Sequence, residues 1–165
     1  AKTWAEVDGK KYFFNSSGQA VTGLVYIGTA RYYFNSDGTM VSRAWETVGS
    51  STYYFNSSGC AVTGLVYIGS SRYYFDSDGS MLKEQWITVD SNKYYLTKEG
   101  SVAVGLTDVD GKMYYFNTDG TVSAKTWAEV DGKKYFFNSS GQAVTGLVYI
   151  GTARYYFNSD GTMVS

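Results

Sequence analysis

Four tryptophans spaced 41 residues apart are the side chains in this sequence best suited to bind a ligand, namely Trp4, Trp45, Trp86 and Trp127. An indole ring can stack on the apolar face of a pyranose while nearby polar side chains bond its hydroxyls, and ligand sites commonly combine an apolar surface with few polar groups. We therefore predict a carbohydrate-binding groove at each tryptophan. In the alternative interpretation, each tryptophan only packs the junction between two units.

Tyrosines and cations recur at fixed distances from the tryptophans and complete the predicted grooves. The aromatic candidates are Tyr26, Tyr67 and Tyr149, and the rim candidates are Lys11, Arg31, Arg72 and Lys134. The grooves are expected between successive units of the chain.

Catalytic chemistry is not indicated by the residue types present. The sequence has no histidine, and its single Cys60 has no base partner. Carboxylates such as Asp8, Asp37, Asp78 and Asp110 could form a glycosidase pair, but they lie in repeated turns where aspartate has a local backbone role. We expect a protein without enzyme activity, cofactor or metal ion.

The charge balance excludes further classes of partner. Lys plus Arg number 14 and Asp plus Glu number 15, so the net charge of -1 gives no field that would attract nucleic acid or an anionic surface. No apolar stretch approaches the roughly 18 residues of a membrane span, so membrane insertion is not expected.

An internal repeat organises the whole chain, because residues 1–42 return letter for letter as residues 124–165. Alignment on an aromatic triplet gives eight units, with bounds 1–22, 23–42, 43–63, 64–83, 84–104, 105–123, 124–145 and 146–165. Odd units begin with Trp and even units with Gly-Leu, so a pair of units is the true repeat. The unchanged copy indicates a recent duplication or an engineered extension, and a repeat scaffold without a ligand remains an alternative function.

Each unit has the pattern of a β-hairpin. In the first unit, two β-prone runs flank Asp8-Gly9, which tolerates positive φ and suits the tight primed turns of hairpins, whereas Gly28-Thr29 of the second unit could supply a type II′ turn. Polar turns containing Gly follow every triplet. Because strand side chains alternate between faces, the third triplet residue, Phe in seven units and Leu96 in the other, is predicted to face the interior.

The first and middle residues of the triplet are predicted to lie in different environments. Tyrosine fills the first position of all eight units and suits a seam between stacked hairpins, since its ring is apolar and its hydroxyl can reach a partner. The middle position, such as Phe13, Tyr33 or Phe136, is expected to be partly exposed.

A Trp or Gly-Leu start, a hairpin, an aromatic triplet and an Asn-x-x-Gly turn over about 20 residues resemble the cell-wall-binding repeats of Gram-positive surface proteins. That superfamily includes choline-binding repeats, glucan-binding repeats of glucosyltransferases and the C-terminal repeats of clostridial toxins. The resemblance implies an all-β fold, a left-handed solenoid of hairpins with about three per turn. It also implies a secreted, non-catalytic module that binds cell-wall polysaccharide or another surface glycan.

The chain departs from the choline-binding pattern at one cage position. Family members place a second Trp directly before the tyrosine pair, but here that position holds Lys11, Arg31, Thr52, Arg72, Lys93, Met113, Lys134 and Arg154. Six of these are cations, which would repel choline. The early tryptophans remain, and Met40, Met81 and Met163 match the family's methionine, so a choline-binding module with degenerate cages is a third interpretation.

Solenoid ends normally carry atypical caps, and neither terminal unit here looks like one. Because Ala1 enters in the middle of the pattern, we read the chain as a piece of a longer protein. We predict self-association through the uncapped ends.

Overall fold

The computed structural model describes all 165 residues, and its regular structure is entirely β. Sixteen strands of five residues each follow one another. They are β1 Thr3–Val7, β2 Lys10–Phe14, β3 Gly23–Ile27, β4 Ala30–Phe34, β5 Ala44–Val48, β6 Ser51–Phe55, β7 Gly64–Ile68, β8 Ser71–Phe75, β9 Gln85–Val89, β10 Asn92–Leu96, β11 Gly105–Val109, β12 Lys112–Phe116, β13 Thr126–Val130, β14 Lys133–Phe137, β15 Gly146–Ile150 and β16 Ala153–Phe157. The structure has no helix able to span a bilayer.

Consecutive strands pair as antiparallel hairpins, which we number 1 to 8 in chain order. Each hairpin is a separate two-stranded sheet, and none shares a ladder of strands with another. The predicted all-β hairpin fold is therefore confirmed. The chain divides into two compact units of four hairpins, Ala1–Lys83 and Glu84–Ser165. The handedness and the number of hairpins per turn stay predictions.

Two-residue turns close the hairpins as their sequences predict. Asp8 and Gly9 both have positive φ, 51° and 76°, as a type I′ turn requires. Of the two turn residues in hairpin 2, only Gly28 has a positive φ, at 67°, which fits type II′. Hairpin 5 is the exception in composition, because Ser91 adopts φ 68° where the other type I′ turns have glycine.

A side chain organises the turn that follows each hairpin. After hairpin 1, Asn15 Oδ1 accepts hydrogen bonds from the backbone N–H groups of Ser17 (2.9 Å) and Gln19 (3.0 Å). The chain then returns along the hairpin it has just left, where Val21 N donates to Phe13 O at 2.9 Å. Each turn therefore leads into a short segment that lies beside its own hairpin.

These returning segments also join neighbouring hairpins. Met40, which follows hairpin 2, donates its N–H to the carbonyl of Lys11 in hairpin 1 at 2.8 Å. Ala61 donates in the same way to Arg31, and Met163 to Lys134, both at 2.8 Å. Since an isolated two-stranded hairpin is at best marginally stable in water, these links and the side chains between them hold the fold.

The third triplet residues form the interior, as predicted. Seven of them are 0–1% exposed, namely Phe34, Phe55, Phe75, Leu96, Phe116, Phe137 and Phe157. Phe14 of hairpin 1, which no earlier hairpin covers, is only half-buried. Burial of these side chains against neighbouring hairpins supplies the apolar contacts that a single hairpin lacks.

The first triplet tyrosines include three whose hydroxyls bond to residues of later turns, namely Tyr32, Tyr53 and Tyr114. Tyr53 Oη accepts from Ser80 Oγ at 3.2 Å, and Tyr114 Oη from Gln142 Nε2 at 3.1 Å. The middle residues are mostly half-buried, as expected. Phe13, whose ring centroid lies 5.1 Å from that of Trp4, departs from that expectation at 9% exposure.

At six of the connecting turns the final glycine is required both by its positive φ and by close contact with preceding residues of the stack, namely at Gly38, Gly59, Gly79, Gly120, Gly141 and Gly161. Gly120 has φ 87°, and a Cβ added there would clash with Val102 and lie 3.2 Å from Tyr94. Gly111, at the tip of hairpin 6, has φ 80° but open space around it.

We predict that Gly120→Ala destabilises the protein more than Gly111→Ala. Both variants pay about 1 kcal/mol for a side chain at positive φ. In Gly120→Ala alone, the free energy of unfolding falls by roughly 1–3 kcal/mol more, because the added atom is forced into a packed contact. Urea unfolding midpoints measure the difference, and equal losses in the two variants would contradict this account of the stack.

Candidate functional site

The first tryptophan lies in a cleft of about 290 Å³ between hairpins 1 and 2. Its lining residues are Trp4, Ala5, Glu6, Lys11, Tyr32, Met40 and Ser58. The cleft therefore combines an aromatic and thioether wall with one carboxylate and one ammonium group.

The strand register explains how this cleft is assembled. Trp4 pairs with Phe13 and Glu6 with Lys11, so alternation places these four side chains on the same face of hairpin 1. Hairpin 2 contributes Tyr32 from its opposite face. The bond from Met40 N to Lys11 O brings the methionine to the edge of the cleft.

Each tryptophan is fixed by edge-to-face and tilted contacts with other rings. The centroid of Trp4 lies 5.1 Å from Phe13, 5.0 Å from Tyr32 and 6.0 Å from Phe34. Even so, 41% of Trp4, 38% of Trp45 and 39% of Trp127 remain exposed. The tryptophans thus pack the junctions and also offer a rigid aromatic surface to solvent.

The second complete cleft repeats the first. It has a volume of about 330 Å³ and is lined by Trp127, Ala128, Glu129, Lys134, Tyr155 and Met163. The identical sequences of residues 1–42 and 124–165 account for the match.

The other two tryptophans have the same aromatic contacts but different polar neighbours. Trp45 lies 4.9 Å from Tyr73, and Thr47 and Thr52, whose hydroxyls are 3.3 Å apart, stand where Glu6 and Lys11 stand in hairpin 1. Its junction therefore has no charge at those two positions. At Trp86, by contrast, Lys93 Nζ lies 4.9 Å from the indole centroid, so an ammonium group of the chain itself covers the ring.

The tyrosine wall of the first cleft is held uncharged. The Cys60 thiol donates to Tyr32 Oη at 3.4 Å. Once the thiol has lost its proton, the phenol donates to the thiolate instead. This hydrogen bond, together with burial and the thiolate charge, raises the pKa of Tyr32 to about 12. The ring therefore remains a neutral phenol at any pH the protein would normally meet.

The structure brings together some of the predicted ligand-binding residues and separates others. Trp4, Lys11 and Met40 line one cleft, Trp127 and Lys134 another, and Met81 N bonds to Thr52 O beside the Trp45 junction. The even-hairpin candidates pair among themselves instead. Arginine lies over tyrosine at 4.9–5.2 Å in three pairs, Arg31 with Tyr26, Arg72 with Tyr67 and Arg154 with Tyr149.

Several cleft residues were not among the predicted ones. These are Glu6, Glu129, Tyr32, Tyr155 and Ser58. The alternation of strand side chains already placed Glu6 on the face of Trp4 and could have identified it. Tyr32 and Ser58 come from other units of the chain, so only the stacking of hairpins reveals them.

Comparison with known families covers nearly the whole chain. The family model of the choline-binding repeat matches residues 1–45, 62–105 and 124–165, and that of the cell wall binding repeat matches residues 44–59 and 106–121. No curated protein sequence matches the chain.

Solved structures from Streptococcus pneumoniae are similar. CbpJ is 26% identical with a TM-score of 0.79, over 99% of this chain and 58% of that one. Choline-binding protein F is 28% identical with a TM-score of 0.77, and the match covers 100% of this chain and 58% of that protein. It has also been solved in the presence of a peptidoglycan analogue, a tetrasaccharide-pentapeptide. The choline-binding domain of CbpL is 27% identical with a TM-score of 0.74, and the match covers 99% of this chain and 87% of that domain's chain. The chain thus spans less than two thirds of the length of CbpJ and of choline-binding protein F.

We predict that Cys60→Ala lowers the pKa of Tyr32 from about 12 toward the ordinary value of about 10, because the hydrogen bond and the nearby charge are lost. Because the pKa of Tyr32 is higher in the folded than in the unfolded protein, its contribution to the free energy of unfolding depends on pH. With a folded-state pKa above the unfolded one, the contribution of Tyr32 is complete below pH 10 and is lost as the pH rises to 12.

An NMR titration of the Tyr32 Cζ resonance measures this pKa. Cys60→Gln is the matched variant, since Gln142 at the corresponding turn position donates to Tyr114 Oη and should keep the ring in place without an ionisable thiol. An unchanged titration midpoint in both variants would show that burial alone sets the value.

Proposed function

We propose that this chain, which belongs to the choline-binding repeat family, is a non-catalytic module that holds a secreted protein on the cell wall by binding wall carbohydrate at its tryptophan clefts. The observation that carries the proposal is the state of the tryptophans. Trp4, Trp45 and Trp127 are fixed by ring contacts, yet 38–41% of each remains exposed. A ligand that stacks on such a ring needs little reordering of the protein, which favours binding.

The polar groups of the clefts support a sugar ligand. Glu6 and Lys11 are cross-strand partners beside Trp4, as Glu129 and Lys134 are beside Trp127. A carboxylate accepts and an ammonium donates hydrogen bonds, so the pair can satisfy the hydroxyls of a sugar whose ring face rests on the indole. The peptidoglycan analogue that accompanies choline-binding protein F is consistent with this ligand class.

Repetition compensates for the small area of each site. Several shallow clefts along one chain convert weak individual contacts into strong retention on a polymer, because binding at a second cleft becomes intramolecular. An insoluble wall polymer is therefore the ligand that this arrangement suits best.

Choline is the second candidate, and one junction favours it. A quaternary ammonium is attracted to aromatic faces and repelled by a neighbouring ammonium group. The Trp45 junction has Thr52 in place of the lysine that accompanies the other three tryptophans. Any choline bound by this chain should therefore bind at Trp45.

Retention on immobilised wall polysaccharide tests the main proposal. We expect Trp4→Ala and Trp127→Ala each to weaken retention roughly fivefold, since one aromatic stacking contact contributes about 1 kcal/mol. Leu24→Ala is the matched control, because Leu24 occupies the tryptophan position of an even hairpin and lies outside the clefts. Equal retention of all three variants and the parent chain would overturn the proposal.

Choline is the second arm of the same experiment. If it elutes the bound chain, Thr52→Lys should abolish that elution and leave binding to choline-free polysaccharide intact. Loss of both kinds of binding in Thr52→Lys would show instead that the variant disturbs the fold.

We further propose that the 165-residue chain self-associates head to tail. Leu147 is 57% exposed and Tyr156 54%, whereas the identical residues of hairpin 2, Leu24 and Tyr33, are half-buried against a cluster that includes Phe55 of hairpin 3. Hairpin 1 has the same sequence as hairpin 7, which contacts hairpin 6 through Tyr115 and Phe137 at 6.1 Å. Hairpin 1 of a second copy therefore matches the exposed face of hairpin 8.

Sedimentation velocity at increasing concentration tests this association. We expect Leu147→Lys to shift the chain to monomer, because a charge would be buried in the contact. Val104→Lys is the matched control, since Val104 is equally exposed, at 55%, but lies away from that face. A parent chain that stays monomeric at all concentrations would contradict the proposal.

A further inference from the structure

The position in hairpins 2 and 3 that corresponds to the Trp4 cleft is filled by the chain itself. One hairpin further along, Trp4, Glu6 and Lys11 are replaced by Leu24, Tyr26 and Arg31. Of the other four cleft residues, Ala5 corresponds to Val25, and Tyr32, Met40 and Ser58 correspond to Tyr53, Ala61 and Asp78. The equivalence is structural, because Ala61 N bonds to Arg31 O as Met40 N bonds to Lys11 O, both at 2.8 Å.

Arg31 occupies the space between two aromatic rings. Its Cζ atom lies 4.9 Å from the centroid of Tyr26 in its own hairpin and 5.1 Å from that of Tyr53 in the next. Both distances lie within the range of cation–π attraction, which strengthens as the cation loses water. The Arg31 side chain is 20% exposed, so most of that water has been removed.

An anionic group completes the surroundings of the guanidinium. Nη1 of Arg31 donates to the Asp78 carbonyl at 3.0 Å and lies 3.5 Å from the Asp78 carboxylate. That carboxylate is charged at neutral pH, since hydrogen bonds with Asp76 and Ser80, together with the charge of Arg31, lower the pKa of Asp78 to about 2. Hairpins 2 and 3 and the turn after hairpin 4 thus meet at one side chain.

We propose that the junction of hairpins 2 and 3 is a binding site for organic cations whose permanent occupant is Arg31, so that this junction is closed to free ligands. The site is built from Tyr26, Tyr53 and the Asp78 carbonyl and carboxylate. It suits a flat or quaternary cation of the size of guanidinium, with two ring faces beside it and an anion at one end. This inference does not depend on the ligand proposed for the tryptophan clefts.

Hairpin 8 provides an internal comparison. Arg154 lies 5.2 Å from Tyr149, as Arg31 does from Tyr26, but both residues are exposed, Tyr149 to 69%. A second ring and an acidic turn are present around Arg31 and absent around Arg154. The single contact of Arg154 therefore does not constitute a site.

Chemical rescue tests the proposal on the full chain. Arg31→Ala should lower the melting temperature by roughly 4–8 °C, given the two cation–π contacts and the charged hydrogen bond. Methylguanidinium at millimolar concentration should restore at least half of that loss. Under the same conditions it should not raise the melting temperature of the parent chain or of Arg154→Ala, in which no enclosed position is opened.

Two results would overturn the proposal. One is an Arg31→Ala variant that melts like the parent chain, and the other is a variant that melts lower but responds to methylguanidinium no more than Arg154→Ala does.

NMR of the parent chain keeps the proposal falsifiable if Arg31→Ala does not fold. The side-chain Hδ resonances of Arg31 should be shifted upfield by the two flanking rings, and those of Arg154 much less. Similar chemical shifts for the two arginines would show that Arg31 is not enclosed.

Discussion

The structure depends on one constraint: no hairpin can bury its own apolar face. Each is a separate two-stranded sheet, and its third triplet residue becomes inaccessible only when an adjacent hairpin covers it. Phe14 and Phe137 show this directly, because they belong to identical sequences and only Phe137, which lies on an earlier hairpin, is fully buried. The returning segments, with bonds such as Met40 N to Lys11 O, fix the spacing at which this covering occurs.

That constraint also creates the candidate sites, because a junction between hairpins is at once packing surface and potential groove. Where an odd hairpin meets the next even one, Trp4 or Trp127 leaves an open cleft beside a tyrosine. Where hairpin 2 meets hairpin 3, Arg31 fills the corresponding place. The two unit types therefore produce an open junction after hairpin 1 and after hairpin 7 and a filled one after hairpin 2.

Most of the fold was predictable from the sequence, because its determinants are local. Turn dipeptides such as Asp8-Gly9 and the alternation within the aromatic triplet depend on residues a few positions apart, and both predictions hold. The site was predictable only in part. Lys11 and Met40 were identified beside Trp4, but Tyr32 and Ser58 enter the cleft through stacking, at distances along the chain that no local pattern specifies.

The arginine residues show the limit of that reasoning most clearly. From composition alone, Arg31 and Lys11 are equivalent cations at equivalent positions, and both suit the rim of a sugar site. Their difference arises from Tyr26 opposite Arg31 and from Asp78, which is 47 positions away along the chain. A guanidinium enclosed by rings and an exposed ammonium beside a carboxylate have different roles, and only the three-dimensional arrangement distinguishes them.

The long reach of Arg31 limits how such a chain can change its length. Arg31 of an even hairpin is bonded to Asp78, which follows the next even hairpin, whereas the turn after the intervening odd hairpin has Ser58 at that position. Inserting one copy of hairpin 3 before hairpin 4 would bring a serine to the arginine and break this ion pair, whereas gain or loss of an odd and an even hairpin together would leave an aspartate there. Copy number is therefore free to vary in steps of two, and the 42-residue segment that occurs twice here is one such step.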